Sequence, residues 1–193
     1  MDAALDLFME KGFAATRVED IANRAGISKG AIYLYFRTKE SILEGLVRRS
    51  IIPIVEQSEA LALTMQGNPV MIIRMMITMV AERMRDPRLF AIPRLILAEA
   101  GNFPDIAKTY RNEVIERGFR VLESLLQQGM EQGLIRQIDP RLAIRNIAGP
   151  MIVHALLANV FGAEEDVNID TAAFVESHLN ILMNGLLKEP EGQ

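Results

Sequence analysis

Lys29, Gly30 and Tyr33 are the residues whose types and spacing best suit a piece of recognition chemistry. A lysine ammonium reaches a phosphate or the edge of a guanine. A glycine has no Cβ, so its backbone can approach another molecule closely. The tyrosine offers a hydroxyl to a phosphate and a ring to a thymine methyl. From Ser28 to Lys39 there are three basic residues, Lys29, Arg37 and Lys39, and no acidic one. That is the local charge a polyphosphate backbone attracts.

Two short helices must position this group. Ser28 is a natural N-cap, since its side-chain oxygen can accept from an amide of the first turn. Ile27 and Ile32 have the spacing of a hydrophobic staple. Ile32 and Phe36, four apart, share one face and leave Lys29, Gly30 and Tyr33 to point elsewhere. A helix this short is not stable alone, so the preceding residues must hold it. There Thr16 and Glu19 fit a capping box, Val18, Ile21, Ala22 and Ala25 make an apolar face at helical period, and Gly26 supplies the turn. Two short helices joined by a glycine turn form a helix-turn-helix, whose second helix enters a DNA major groove. An ordinary helical corner would need neither the Ser28, Lys29, Gly30 start nor three cations without an acid.

Residues 1 to about 49 resemble the DNA-binding region of the tetracycline-repressor (TetR) family of bacterial transcriptional regulators. The resemblance is carried by Ala4, Leu7, Phe8, Gly12, Phe13, Thr16, Ile21, Ala22, Ala25, Gly26, Ser28, Lys29, Gly30, Ile32, Tyr33, Tyr35, Phe36, Lys39 and Glu40. It implies that Thr16, Ser28, Tyr35 and Lys39 contact phosphates, which fixes register without reading sequence. Arg17 is expected at a phosphate or a base. Glu19 stands where relatives often carry a base-reading cation; it could accept from a cytosine amine or simply cap its helix, the simpler expectation. Leu34 replaces a polar or aromatic residue and is expected to be neutral or to pack on sugars. Relatives usually carry several residues, often basic, before the first helix, whereas this sequence opens almost on it: either the sequence is trimmed, the start site differs, or some backbone contacts are absent.

Composition sets the outer bounds. The chain has 193 residues, half of them hydrophobic, which is enough for a sizeable core in one or two domains. With no Cys there is neither a disulfide framework nor a thiolate metal site. His154 and His178 are too few for a zinc site without carboxylate help. HExxH, GxSxG, Walker A and dinucleotide motifs are all missing from the sequence, so no catalytic residue, metal or cofactor is expected. No signal peptide is visible, and Arg145 and His154 interrupt the most apolar run, Leu142 to Phe161; a cytoplasmic protein without a membrane span is expected. The net charge of −4 argues weakly against a nucleic-acid partner. Its distribution softens that: residues 1–49 carry eight Lys or Arg against seven Asp or Glu, and residues 50–193 carry thirteen against eighteen.

Along the chain every signal is helical, with no sustained period-two alternation. The first helix runs from about Asp2 to Lys11 and stops at Gly12. Another begins after Thr38, is kinked or broken by Pro53, and resumes to about Gln66. Asn68-Pro69, Asp86-Pro87 and Asp139-Pro140 each read as an N-cap followed by proline at the first helical position. Helices follow near 69–85, 87–100, 104–131, 140–161 and 170–188, with Gly101, Gly133 and Gly162 as terminators and 189–193 as a frayed tail. The expectation is an all-α protein of about nine helices, with a three-helix DNA-binding head at 1–49 and a ligand-binding and dimerisation domain at 50–193.

The middle of the chain is rich in Met, whose side chain adapts to varied apolar shapes. In TetR-like proteins helices of this region surround a ligand pocket. The resemblance therefore makes Met65, Met75, Met79, Phe90, Ile96, Phe103, Tyr110, Met151 and His154 candidate lining residues, with Tyr110 and His154 as the polar ones. Plain core packing is the competing account for each Met. The helices at 140–161 and 170–188 are apolar on more than one face and must be covered on both sides. Physics and resemblance agree here on a homodimer, which also spaces two recognition helices about one DNA turn apart, roughly 34–36 Å. His178 is expected at an interface or on the surface. Taken together these readings describe a homodimeric, ligand-responsive regulator binding a two-fold double-stranded DNA operator. It would be a repressor released by a small apolar or amphipathic effector, with the kinked fourth helix as transmitter. The rival is a helical lipid- or partner-binding protein with a vestigial helix-turn-helix.

Overall fold

The computed structural model describes residues 1–65, 67–161 and 169–187. The expected helix end at Gln66, the terminator Gly162 and the tail 189–193 lie outside them. The described residues are helical almost throughout, in agreement with an all-α fold of about nine helices. The α-helices are α1 (Asp2–Lys11), α2 (Val18–Ala25), α3 (Lys29–Tyr33), α4 (Lys39–Ser50), α5 (Ile52–Thr64), α6 (Pro69–Met84), α7 (Pro87–Glu99), α8 (Pro104–Tyr110), α9 (Glu116–Glu131), α10 (Pro140–Leu156) and α11 (Thr171–Leu186). A π-helical turn, Arg111–Ile115, joins α8 to α9, and a second, Leu157–Phe161, continues α10. The only extended pairing among the described residues is one isolated antiparallel bridge between Ile135 and Leu187.

Local chemistry explains most boundaries. Asn68 accepts from the amide of Val70 at 2.9 Å and Asp139 from that of Arg141 at 2.8 Å, each with proline opening the helix. Thr38 caps α4 reciprocally with Ser41, at 3.2 Å both ways. Gly26 ends α2 with φ 68° and ψ 28°, a left-handed conformation that costs glycine nothing. The break expected at Pro53 falls just upstream, at Ile51, so that Pro53 sits in the first turn of α5, where its missing amide is no loss. Pro93 and Pro150 lie inside α7 and α10, and both helices run on through them.

The chain forms two compact units, Met1–Val55 with Pro87–Glu116, and Glu56–Asp86 with Arg117–Gln193. In the first, Leu7, Phe8, Phe13, Ile21, Ile32, Leu43 and Leu46 are buried together with Ile92, Leu95, Ile96 and Ile106. The helix-turn-helix core is therefore shared with α7 and α8. Ion pairs reinforce this unit: Arg24 binds Glu10 through two contacts of 3.0 and 2.8 Å, and Arg88 binds Asp6 at 2.6 Å. In the second unit, Ile73, Leu125, Leu126, Ile144, Ile147, Met151, Leu179 and Met183 make a separate core from α6, α9, α10 and α11. There Glu59 of α5 and Arg117 of α9 form a bidentate, partly buried pair at 2.9 and 2.6 Å. Its guanidinium holds the Glu59 carboxyl below the ordinary carboxylate range.

Candidate nucleic-acid interface

α3 spans only Lys29–Tyr33 and buries one residue, Ile32. Its cap is the expected one: the Ser28 oxygen accepts from the amide of Ala31 at 3.1 Å. Since a hydroxyl can donate as well as accept, Ser28 keeps its O–H for an outside partner. Tyr33 is 44% exposed, and Leu34 and Tyr35, just past the helix, are 82% and 81% exposed. Gly30 is exposed, and a Cβ built on it would meet only Ser28 Oγ at an ordinary 3.8 Å. The packing of the chain itself gives no reason for glycine there. Ile27 is half exposed, so the staple anticipated with Ile32 does not close as a buried contact.

Two of the residues assigned to phosphates face inward. Thr16 is 1% exposed, and its hydroxyl donates to the carbonyls of Leu7 at 3.2 Å and Gly12 at 2.7 Å. Lys39 Nζ donates to the carbonyls of Phe13, Ala14 and Thr16 at 2.5, 3.0 and 3.0 Å and lies 4.5 Å from the centroid of the Phe13 ring. Both side chains tie the start of α4 and the turn before α2 into the core. Nor do Thr16 and Glu19 form the anticipated capping box. α2 begins at Val18, Arg17 occupies the cap position, and Asp20 accepts from the Arg17 amide at 3.3 Å. Glu19 instead receives a hydrogen bond from the ammonium of Lys29. This exposed pair pulls the Lys29 pKa up and the Glu19 pKa down, chiefly through the shared hydrogen bond. Among the described residues, neither Arg17 nor Arg37 is engaged in an ion pair, and both are exposed. Arg37 was visible in the sequence as a cation of the charged stretch but was not among the candidate contacts.

The candidate pocket residues divide between the units. Phe90 and Ile96 are buried in the first, Phe103 packs edge-on against Phe13 at 5.2 Å, and the Tyr110 phenol is so buried that its pKa is pushed up to about 12. In the second, Met151 is core, whereas Met65 and Met75 are 40% and 42% exposed. Met75 and Met79 line a groove of about 440 Å³ together with Met71, Arg74, Thr78 and Leu179. Arg74, Thr78 and Leu179 were not anticipated as lining. His154 stacks on Phe174 with centroids 4.1 Å apart. His178, expected at a surface or interface, is instead buried, with Nε2 3.0 Å from the carbonyl of Ile147.

An exposed, cation-bearing second helix on a shared helical core is the arrangement of a helix-turn-helix DNA-binding regulator. Residues 1–46 match the family model for bacterial regulatory proteins of the tetR family, and residues 71–183, more than half of the chain, match that for the AefR-like transcriptional repressor C-terminal domain. The chain belongs to the TetR family of transcriptional regulators. It is 28% identical over 192 residues to the fatty acid metabolism regulator protein of Bacillus subtilis (strain 168), covering 96% of this chain and 93% of that protein. The fold is similar to SmeT, the repressor of the Stenotrophomonas maltophilia multidrug efflux pump SmeDEF, with a TM-score of 0.79 at 23% identity over 97% of this chain and 88% of that one. It is also similar to FadR from Bacillus subtilis in complex with stearoyl-CoA, with a TM-score of 0.75 at 24% identity over 95% and 96% of the two chains.

Proposed function

We propose that the protein acts in the cytoplasm as a homodimeric repressor that reads a two-fold DNA operator through α3 and is released by a small apolar or amphipathic effector. The observation that carries the DNA-reading part is the outward side of α3: Lys29, Gly30 and Tyr33 are exposed, and none is needed by the core that Ile32 serves. Arg17, Ser28 and Tyr35 complete the proposed contacts, and Arg37 joins them as an unpaired cation. Thr16 and Lys39 leave the set because their donors are spent inside the protein.

The dimer rests on α10 and α11. α10 buries Ala143, Ile144, Ile147, Met151 and Ala155 on one side, yet Ile152 and Val153 stay 44% and 54% exposed. Ile181 of α11 is 72% exposed. The 22-residue run Pro140–Phe161, which holds an 18-residue window with a mean hydropathy of 1.3, also has the length and composition of a membrane span. Its buried inner side, Arg145 and the family membership favour a partner helix as the cover. For the effector, the second unit offers exposed thioethers beside Arg74, a wall and a cation that suit an amphipathic anion. The solved complex of FadR with stearoyl-CoA is in keeping with that chemistry. Release follows if effector prefers a form whose recognition helices are wrongly spaced; a coupling of roughly 1–3 kcal/mol changes operator affinity about 5–150-fold.

The test is to select bound duplexes from a random pool and to examine them for two-fold symmetry. Tyr33→Ala should weaken binding to the selected duplex in gel shift with an unchanged circular dichroism spectrum. Sedimentation equilibrium should find a dimer for the wild type and a monomer for Val153→Glu with Ile181→Glu. Asymmetric sites, or a monomer that binds as tightly as the wild type, would overturn the reading.

A further inference from the structure

The pair between Glu19 and Lys29 changes what the recognition helix can do. Lys29 is the only charged residue of α3, and Glu19, in the first turn of α2, neutralises it. Both side chains are about half exposed, at 49% and 55%, so the pair lies on the surface and not within the fold. An ammonium has three donors, and one is directed at Glu19 Oε1. Two donors remain, and the second carboxylate oxygen remains as an acceptor. A lysine donor suits guanine O6 and N7, and a carboxylate accepts from the cytosine N4 amine. The two groups side by side therefore present a donor and an acceptor that complement the acceptors of guanine and the donor of cytosine in the major groove. A phosphate, by contrast, is repelled by the carboxylate that holds the lysine.

We propose that Glu19 and Lys29 work as one specificity-determining unit that holds the lysine for a G·C base edge and keeps it off the phosphate backbone. The unit gives up non-specific affinity, which comes from phosphate neutralisation, for selectivity at one position of each half-site. Their shared hydrogen bond lowers the Glu19 pKa and raises that of Lys29, the directions in which each charged form is favoured by the other. This rests on the DNA-reading role of α3 proposed above, but does not follow from it, since an unpaired Lys29 would serve that role through phosphates alone.

The test compares wild type, Glu19→Gln, Lys29→Ala and the double variant by fluorescence anisotropy on a selected duplex and on a random one, over a salt series. Glu19→Gln frees the ammonium for a phosphate. It should bind the random duplex several-fold more tightly, with a log–log salt slope steeper by about 0.9, or roughly 3.5-fold more affinity change between about 50 and 200 mM salt. The selected-to-random ratio should fall. Duplexes selected by Glu19→Gln should lose a G·C preference that those selected by wild type show. In the Lys29→Ala background the same change should lose most of its effect. The unit is overturned if Glu19→Gln matches wild type in affinity, slope and selected sequence, or if its effect is equal with and without Lys29. A wild type that binds neither duplex overturns the DNA-reading role itself, and this unit with it.

Discussion

Lys39 crosses from the first turn of α4 to the loop between α1 and α2, where its ammonium donates to the Phe13 carbonyl at 2.5 Å and lies 4.5 Å from the ring centroid. Three carbonyls converge on that one cation. Its role is to hold the loop before α2, and through it the angle at which α2 and α3 leave α1.

Removing the cation should cost stability more than binding chemistry would suggest. Lys39→Met keeps the aliphatic stem and strips the donors, leaving part-buried carbonyls short of partners. A loss of about 2 kcal/mol in urea unfolding is expected. Lys29→Met, at an exposed pair, should leave the unfolding midpoint nearly unchanged, and the contrast between the two lysines is the measurement.

At Gly30 the expectation is reversed. An added Cβ meets open space apart from Ser28 Oγ at 3.8 Å, and alanine is the better helix former by roughly 0.5–1 kcal/mol. Gly30→Ala should therefore melt no lower than wild type. Operator affinity should still fall about tenfold, ~1.4 kcal/mol, if the backbone approaches DNA here. Equal affinity would show that the approach is not close.

Acid sensitivity should be traceable to Glu59. Arg117 lowers its folded-state pKa from the model-compound value of 4.5. A carboxyl lowered on folding contributes stability that is complete above its unfolded pKa and is lost as pH falls through the folded one. The stability difference between wild type and Glu59→Gln should be constant near neutrality and should shrink steadily below about pH 4.5. Denaturant melts at several pH values would show it; a difference independent of pH would mean that the pair contributes nothing through titration.

Much of the first 49 residues was legible because local chemistry and tertiary packing agree there. The Ser28 cap, the left-handed turn at Gly26 and the proline-led starts of α6, α7 and α10 each depend on one or two neighbours. Residues whose partners are distant in sequence were misjudged. Thr16 and Lys39 read as surface polar groups until the carbonyls of Leu7, Gly12 and Phe13 are seen within reach, nine and 26 residues away for the hydroxyl and the ammonium. Glu19 read as a cap until Lys29, ten residues on, was found beside it. The pocket candidates were chosen by type alone, and type does not tell core from lining: Met151 and Met75 are the same residue, yet one is buried and the other is 42% exposed.

Because Ile92, Leu95, Ile96 and Ile106 complete the apolar interior that Leu43 and Leu46 begin, the reading head is not a cassette that ends with α4. A chimera that exchanged only the first 49 residues with a relative would run its seam through tightly packed side chains, whereas one that also carried α7 and α8 would keep matched partners. Inheritance should then couple the two segments, so that drift in one is answered by drift in the other although some 40 residues separate them in the chain.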